Sequence, residues 1–297
     1  MGGFLMHPAS RPYRGRIAPT PSGYLHLGHA RTFWMAHERA QARAGALVLR
    51  NDNLDRSRCK PKFVRAMIED LRWFGFQWRE GPDAGGIFAP YNQSERFAGY
   101  RAALDRLVAG GFVYRCNCSR RDVQSAALAP HAPDDDEPIY PGTCRDKIMA
   151  NPTEYSWRFR VPDGQAVIFT DNNFGQRNFI AGKDFGDFIV WRNDGAPAYQ
   201  LACVVDDAGM QITEVVRGAD LLLSTARQLL LYRALGLNAP EFFHCPLMLD
   251  ENGQRLAKRS ESSSLRVLRE RGAKPEALWK GWDAAPDGPT LAVVNRE

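Results

Sequence analysis

The segment Arg16-Ile-Ala-Pro-Thr-Pro-Ser-Gly-Tyr-Leu-His-Leu-Gly-His29 constrains this chain more than any other stretch of it. A short apolar strand runs into a Pro/Gly turn, and a helix begins where His26 and His29 sit beside Gly28. A helix start offers unpaired backbone N–H groups and the positive end of the helix dipole, which suits an anion. Gly28 has no side chain and lets a bulky ligand approach the backbone. The expected guest is a nucleotide phosphate. The plain alternative is a strand–turn–helix corner carrying two surface histidines.

The surrounding pattern supports an α/β sheet. Residues 15–18 and 47–50 read as strands, and residues 29–44, 61–74 and 94–109 as helices, the last capped by Ser94. After Gly110-Gly111 the character changes. Residues 116–147 are rich in Cys, Pro and Asp, and residues 156–192 read as short strands between Gly/Asn/Asp turns. Helical patterning returns near Tyr199 and at 224–236, with a strand over 211–216. The expected organisation is a flexible tail (1–13), a first catalytic half (14–106), an inserted subdomain (107–190), a second half (191–260) and a short helical C-terminal region with a tail (261–297).

A chain of 297 residues with net charge +5 holds one or two domains, and its charge permits a nucleic-acid partner without requiring one. No apolar run approaches the ~20 residues needed to span a bilayer. Residues 1–15 carry Arg11, Arg14, Pro8 and Pro12 rather than a long apolar core. No membrane partner and no signal peptide are expected, and the expected location is cytoplasmic.

Two further motifs carry chemistry. Gln254-Arg-Leu-Ala-Lys258-Arg-Ser260 follows the turn Asp250-Glu-Asn-Gly253. A cationic loop suits polyphosphate, and a lysine there can follow negative charge onto a leaving pyrophosphate. Its plain reading is a solvated basic loop. The six cysteines do not form a disulfide framework in a chain this long. Cys116, Cys118 and Cys144 cluster, and three thiolates favour zinc. A fourth ligand is usually Cys or His, and His131 lies between them. Cys203 and Cys245 sit in apolar runs and read as inert core thiols, while Cys59 stands alone.

Taken together, His26-Leu-Gly-His29 and Leu256-Ala-Lys-Arg-Ser260 resemble the paired signatures of class I aminoacyl-tRNA synthetases, HIGH and KMSKS. The blocks between them resemble glutamyl-tRNA synthetases: Arg16-Ile-Ala-Pro-Thr-Pro-Ser-Gly, Asp194-Gly-Ala-Pro-Ala-Tyr199-Gln-Leu-Ala, Val204-Val-Asp-Asp207, Val216-Arg-Gly-Ala-Asp220-Leu and His244-Cys-Pro-Leu. The resemblance spans residues 14–280 in order. Only 37 residues of the 297 follow Ser260, so the expectation is the truncated branch of that family, the glutamyl-Q tRNA(Asp) synthetases. The resemblance implies a class I Rossmann-like catalytic domain with an inserted β-rich, zinc-binding subdomain. It implies tRNA-independent activation of L-glutamate by ATP with Mg²⁺. Glutamate is then passed to queuosine in the anticodon loop of tRNA(Asp), by a monomer. The alternatives are a truncated enzyme charging another acceptor and a non-catalytic tRNA- or nucleotide-binding paralogue.

The same resemblance assigns roles. Arg16 and Arg217 serve the glutamate carboxylates, a task for which the guanidinium fork is suited. Ala18, Thr20 and Tyr199 line that pocket. His26, Gly28, His29 and Lys258 take the ATP phosphates, with His26, His29 and Lys258 as the catalytic set. Zinc falls to Cys116, Cys118, Cys144 and, as in the family's unusual site, Tyr140 in preference to His131. One segment departs: the family's Arg-Ile-Glu-Asp-x-Asp is here Arg50-Asn-Asp52-Asn-Leu-Asp55. Asp52 replaces a glutamate as partner of the substrate ammonium, one methylene shorter. Arg115, Arg120, Arg121 and Arg145 flank the thiolates and are candidate phosphate contacts.

Overall fold

A computed structural model describes residues 11–119, 121–123, 139–147, 154–248, 264–279 and 282. Strand β1 (Arg14–Ile17) leads through the Pro/Gly turn to helix α1 (Leu27–Ala42) and back to a parallel partner, β2 (Ala46–Leu49). Helix α2 (Pro61–Phe74) starts at a proline and stops at Gly75, whose φ of 105° a side chain would oppose. It buries Ala66, Met67, Leu71 and Phe74 against Ile17, Leu49, Phe76 and Trp78. Truncating such a side chain to alanine costs about 2–5 kcal/mol.

Helix α3 (Phe97–Ala109) begins later than its sequence suggests. Gln93–Glu95 forms a 3₁₀ turn instead, with Ser94 inside it and Arg96 at the N-cap of α3, so Ser94 is not that cap; its backbone N–H donates to the Asn53 side chain at 2.9 Å. Strands β3 (Val113–Cys116), β4 (Ser156–Phe159) and β7 (Phe188–Trp191) make an antiparallel sheet. Between β4 and β7 lies a hairpin, β5 (Ala166–Asp171) and β6 (Gly175–Ile180).

Helix α4 (Tyr199–Gly209), β8 (Glu214–Gly218), α5 (Leu222–Ala234) and β9 (Glu241–Cys245) restore α/β order. Strand β8 starts at Glu214 rather than 211, because Gln211 adopts a turn conformation with φ of 53°. Strands β8 and β9 are parallel, with Arg217 opposite His244. The β5–β6 hairpin joins this sheet where Asp171 pairs with Phe242 of β9. On the other side Thr213 donates its N–H to the Arg14 carbonyl at 2.9 Å, setting β1 beside β8. Tyr100, Leu107, Val190, Leu201, Val204, Val215 and Leu231 fill the core beneath. Helices α6 (Leu265–Glu270) and α7 (Pro275–Trp279) close the described chain, Arg266 pairing with Asp70 of α2. Among the described residues, no helix is long and apolar enough to cross a membrane.

Candidate active site

The ends of β1, β2 and β8 and the start of α4 converge on a buried charge cluster. Arg50 follows β2 and is wholly buried. Its N–H donates to the Ile17 carbonyl and that of Asp52 to Pro19, so the two strand ends are pinned together. The Arg50 guanidinium donates to Asp52 at 2.6 and 3.2 Å and to Asp207 at 2.6 Å. Arg16 donates to the same Asp207 oxygen at 3.3 Å and to the Val216 carbonyl at 3.0 Å. Asp206, next in line, accepts from Arg96, Gln93 and Tyr100 at 2.6–2.8 Å. Buried ions survive only when paired in this way.

The pairing sets the protonation states. Burial pushes the Asp52 carboxyl up to about 6, against the opposing pull of Arg50. Burial also acts on Asp207, but there Arg50 and Arg16 outweigh it and hold the pKa below the usual carboxylate range. Arg217 lies on β8 and is 4% exposed. Its three nitrogens donate to His244 Nε2, Gln228 Oε1 and Thr225 Oγ1. Tyr199, the first residue of α4, is 43% exposed and interacts electrostatically with Arg217, Arg16 and Asp52. Arg16, Asp52, Tyr199 and Arg217 are therefore neighbours in one place. Ala18 is half-buried just beyond β1, and Thr20 is exposed in the turn.

His26 is the N-cap of α1, so Gly28 and His29 lie in its first turn. The His26 N–H donates to His29 Nδ1 at 3.4 Å, and the two rings are 5.3 Å apart. A side chain added at Gly28 would meet open space. His26 Nδ1 is buried without a hydrogen-bond partner among the described residues. Burial lowers the His26 pKa, leaving a neutral imidazole at pH 7. Ser264, six residues beyond Lys258, pairs with His26 across a β-bridge. Lys258 itself, with the rest of Gln254–Ser260, lies outside the described residues, as do His131 and Arg120.

At the third site the Cys116, Cys118 and Cys144 sulfurs lie within 4.8 Å of one another, so they could hold a metal ion. Cys118 and Cys144 are 3.5 Å apart, and the Tyr140 hydroxyl stands 3.4 and 3.5 Å from Cys116 and Cys118. Ligands around a tetrahedral zinc, with Zn–S near 2.3 Å, sit about 3.5–3.8 Å from one another. The Cys144 N–H donates to the Tyr140 oxygen at 2.8 Å, while burial and the neighbouring thiols raise the Tyr140 pKa, so the hydroxyl is a phenol until a metal displaces its proton. Arg158 donates to the Cys116 sulfur at 3.2 Å and stacks over the Tyr140 ring, placing a cation against the thiolates. Arg145 is taken up by Asp187 and Asp163, so it is a structural cation rather than a phosphate contact. Arg115 packs over Tyr155 and Trp157. Burial raises the Cys203 and Cys245 thiols to about 12, as inert core residues require.

Arg50, Asp207 and His244 carry weight in these contacts although the sequence assigned none of them a role. A charged residue embedded in an apolar run is the signal they share: Arg50 ends Leu47-Val-Leu49, and Asp206-Asp207 follows Leu201–Val205.

Comparison with known proteins fits this arrangement. Residues 13–283 match the family model described as tRNA synthetases class I (E and Q), catalytic domain. The chain is 48% identical over 271 residues to a glutamyl-Q tRNA(Asp) synthetase of Symbiobacterium thermophilum, covering 89% of this chain and 83% of that one. It is 44% identical over 290 residues to a glutamyl-Q tRNA(Asp) synthetase of Nitratidesulfovibrio vulgaris, covering 95% and 89%. Its fold is similar to the crystal structure of a glutamate tRNA ligase from Elizabethkingia meningosepticum in complex with its amino acid, with TM-score 0.73 and 27% identity. That match covers 90% of this chain and 59% of the ligase.

Proposed function

The chain belongs to the class I glutamyl- and glutaminyl-tRNA synthetase family of ligases, and from that premise we propose that it activates L-glutamate with ATP and passes it to queuosine in the anticodon loop of tRNA(Asp). The observation that carries the first half is the meeting of Arg16, Arg217, Asp52 and Tyr199. A dicarboxylic amino acid needs cations for its carboxylates and an anion for its ammonium, all held in a dry site. Arg16 and Arg217 supply the cations, Asp52 the anion, and Tyr199, Ala18 and Thr20 the wall. The second half rests on the two glutamyl-Q relatives, which align with most of this chain and of themselves.

In activation, the α-carboxylate of glutamate attacks the α-phosphorus of ATP, giving glutamyl-adenylate and pyrophosphate. The first turn of α1, with His26, Gly28 and His29, receives phosphate oxygens. Lys258 stabilises the charge that builds on pyrophosphate, and Mg²⁺ accompanies ATP. Catalysis is chiefly positioning and charge stabilisation. In transfer, a queuosine hydroxyl attacks the adenylate carbonyl and AMP leaves. One zinc ion, held by Cys116, Cys118, Tyr140 and Cys144, ties β3 to the residues before β4 and is structural. The enzyme acts as a monomer.

The test is ATP–pyrophosphate exchange with glutamate and no tRNA, then transfer to tRNA(Asp) with or without queuosine. Exchange without tRNA and transfer onto queuosine-bearing tRNA alone are expected. No exchange above background, or equal transfer to both tRNAs, overturns the reading.

A further inference from the structure

Behind Arg217, on the side away from the charge cluster, lies a buried dyad that the reaction as described does not use. His244 Nδ1 is 2.6 Å from Asp171 Oδ2, and both side chains are fully buried. Asp171 closes β5 at the hairpin turn, His244 lies on β9, and Arg217 is its register partner on β8. Three elements distant in sequence thus meet at one imidazole.

The proton positions follow from counting donors. Asp171 Oδ1 accepts the backbone N–H groups of Asn173 at 3.1 Å and Phe174 at 2.9 Å. Oδ2 accepts the N–H of His244 itself at 3.2 Å. An acid surrounded by donors is a carboxylate, and its pKa is held down accordingly: burial raises it, while His244 and the Phe174 and Asn173 amides more than compensate. The proton between Asp171 and His244 therefore sits on Nδ1. Burial, helped by the neighbouring Arg217 charge and opposed by Asp171, lowers the His244 pKa. The imidazole is neutral, and its one remaining polar atom, Nε2, is a lone pair. Nε2 receives the Arg217 Nε–H at 3.2 Å; the Thr225 hydroxyl stands 3.1 Å from it but donates its proton to the Leu221 carbonyl at 3.2 Å, and that carbonyl also acts on the imidazole, so the arginine is the donor that fixes Nε2 as an acceptor.

The rest of the guanidinium is held with equal care. Nη2 donates to Thr225 Oγ1 at 2.6 Å and Nη1 to Gln228 Oε1 at 2.9 Å. The Gln228 amide is oriented in turn by Gln200, which donates to Ser224. An arginine this long has several rotatable bonds, and an acceptor on each nitrogen removes that freedom before a substrate arrives.

We propose that Asp171 and His244 are positioning residues for substrate recognition: the carboxylate fixes the imidazole tautomer, and the imidazole lone pair aims Arg217 at the glutamate carboxylate. This rests on the reading of Arg217 as a glutamate ligand. It also gives the β5–β6 hairpin a part in amino-acid binding, because the hairpin supplies Asp171. Neither residue touches substrate. If Asp171 is replaced by Asn, the oxygen stays with the Asn173 and Phe174 amides and the NH₂ faces His244 Nδ1. The imidazole proton then moves to Nε2, where it meets the Arg217 Nε–H head on.

Kinetics and nuclear magnetic resonance test this on the full chain. In glutamate-dependent ATP–pyrophosphate exchange, Asp171→Asn and His244→Phe are expected to raise KM for glutamate about 10–100-fold, leaving KM for ATP within about twofold. His244→Gln keeps an acceptor near the Nε2 position and is expected to recover most of that loss. In ¹⁵N spectra, wild-type His244 shows Nδ1–H with unprotonated Nε2, and Asp171→Asn reverses the pattern and shifts the Arg217 Nε–H resonance. An unchanged glutamate KM in folded Asp171→Asn overturns the proposal, and so does a His244→Gln as damaging as His244→Phe. A wild-type imidazole protonated on Nε2 overturns it as well. If the wild type shows no glutamate-dependent exchange, the activity reading falls, while the tautomer and the response of Arg217 still decide the positioning role.

Discussion

At the cysteine site, three sulfurs within 4.8 Å of one another and a phenol oxygen beside two of them come from two short segments, 116–118 and 140–144. The charge pocket draws on β1, the end of β2, α4 and β8, and its carboxylates Asp52 and Asp207 are joined through arginine side chains. Both bury ionised groups, but by different routes. The cysteine site could be completed by an ion from outside, and it has one cation, Arg158, beside Cys116. The pocket balances itself internally, Arg50 standing against Asp52 and Asp207 before any substrate enters. The first arrangement should fail as a unit when its ion is lost. The second should lose function by degrees while the fold persists.

Cys144→Ala is expected to give the largest effect and to separate the two regions. Bound zinc, measured by atomic spectroscopy, falls from one per chain to near zero. Hydrogen exchange then accelerates across β3 and β4, because an apparent ~10 kcal/mol or more can reside in a structural zinc. The β1–β2–β8 framework keeps its protection. Zinc retained at one per chain would count against the thiolate assignment. Next in size, Arg217→Ala is expected to lower kcat/KM for glutamate about 10²–10³-fold in the exchange assay, about 3–4 kcal/mol, with zinc content and KM for ATP unchanged. A parallel loss in ATP binding would show that the pocket and the α1 corner are one cooperative unit rather than neighbours.

This contrast also explains what the sequence disclosed. Cysteine is scarce, so Cys116-Asn-Cys118 and Cys144 stand out, and Tyr140 was found because the resemblance pointed to it. The helix start at His26 was equally visible, since a Pro/Gly turn between an apolar strand and a helix is local chemistry. Arginine and aspartate are common, and nothing near Asp207 in sequence says that it will accept from both Arg16 and Arg50. Asp171 is harder still. Its neighbours read as a hairpin turn, and only the pairing of β5 with β9 brings it to His244. Local signals mark α2 to the residue, whereas α3 starts later than Ser94 suggests, because a 3₁₀ turn over Gln93–Glu95 takes Ser94 in.

Tyr140→Phe probes the weaker corner of the metal site. Removing one oxygen leaves three thiolates, so zinc affinity in a chelator competition should fall about 10–100-fold without loss of the fold. Glutamate KM should not move. If His131 were the fourth ligand, Tyr140→Phe would leave affinity unchanged and His131→Ala would lower it.

The smallest effect concerns Asp52 and is graded by pH. Its carboxylate form is the one that pairs with the glutamate ammonium, and burial has moved its pKa up to about 6. Below that value the neutral acid predominates and cannot hold a cation. KM for glutamate should therefore rise as pH falls through 6, by at most about tenfold per unit, and level off above 7. The groups facing Asp52 are Arg50, Arg16, Asp206, Tyr199 and Cys203, and Asp207 shares Arg50 with it. The arginines keep their charge throughout, and Asp207 is held below the usual carboxylate range, so neither can produce a step at pH 6. His26 titrates at lower pH than an ordinary imidazole, and its protonation would appear in the KM for ATP instead. Asp52→Asn should raise KM for glutamate and remove the step near pH 6, because the carboxyl that titrates there is gone. A glutamate KM left unchanged by Asp52→Asn would assign the ammonium to Asp207, which stays ionised across this range, and with it the role that this chain's shorter side chain at position 52 has given up.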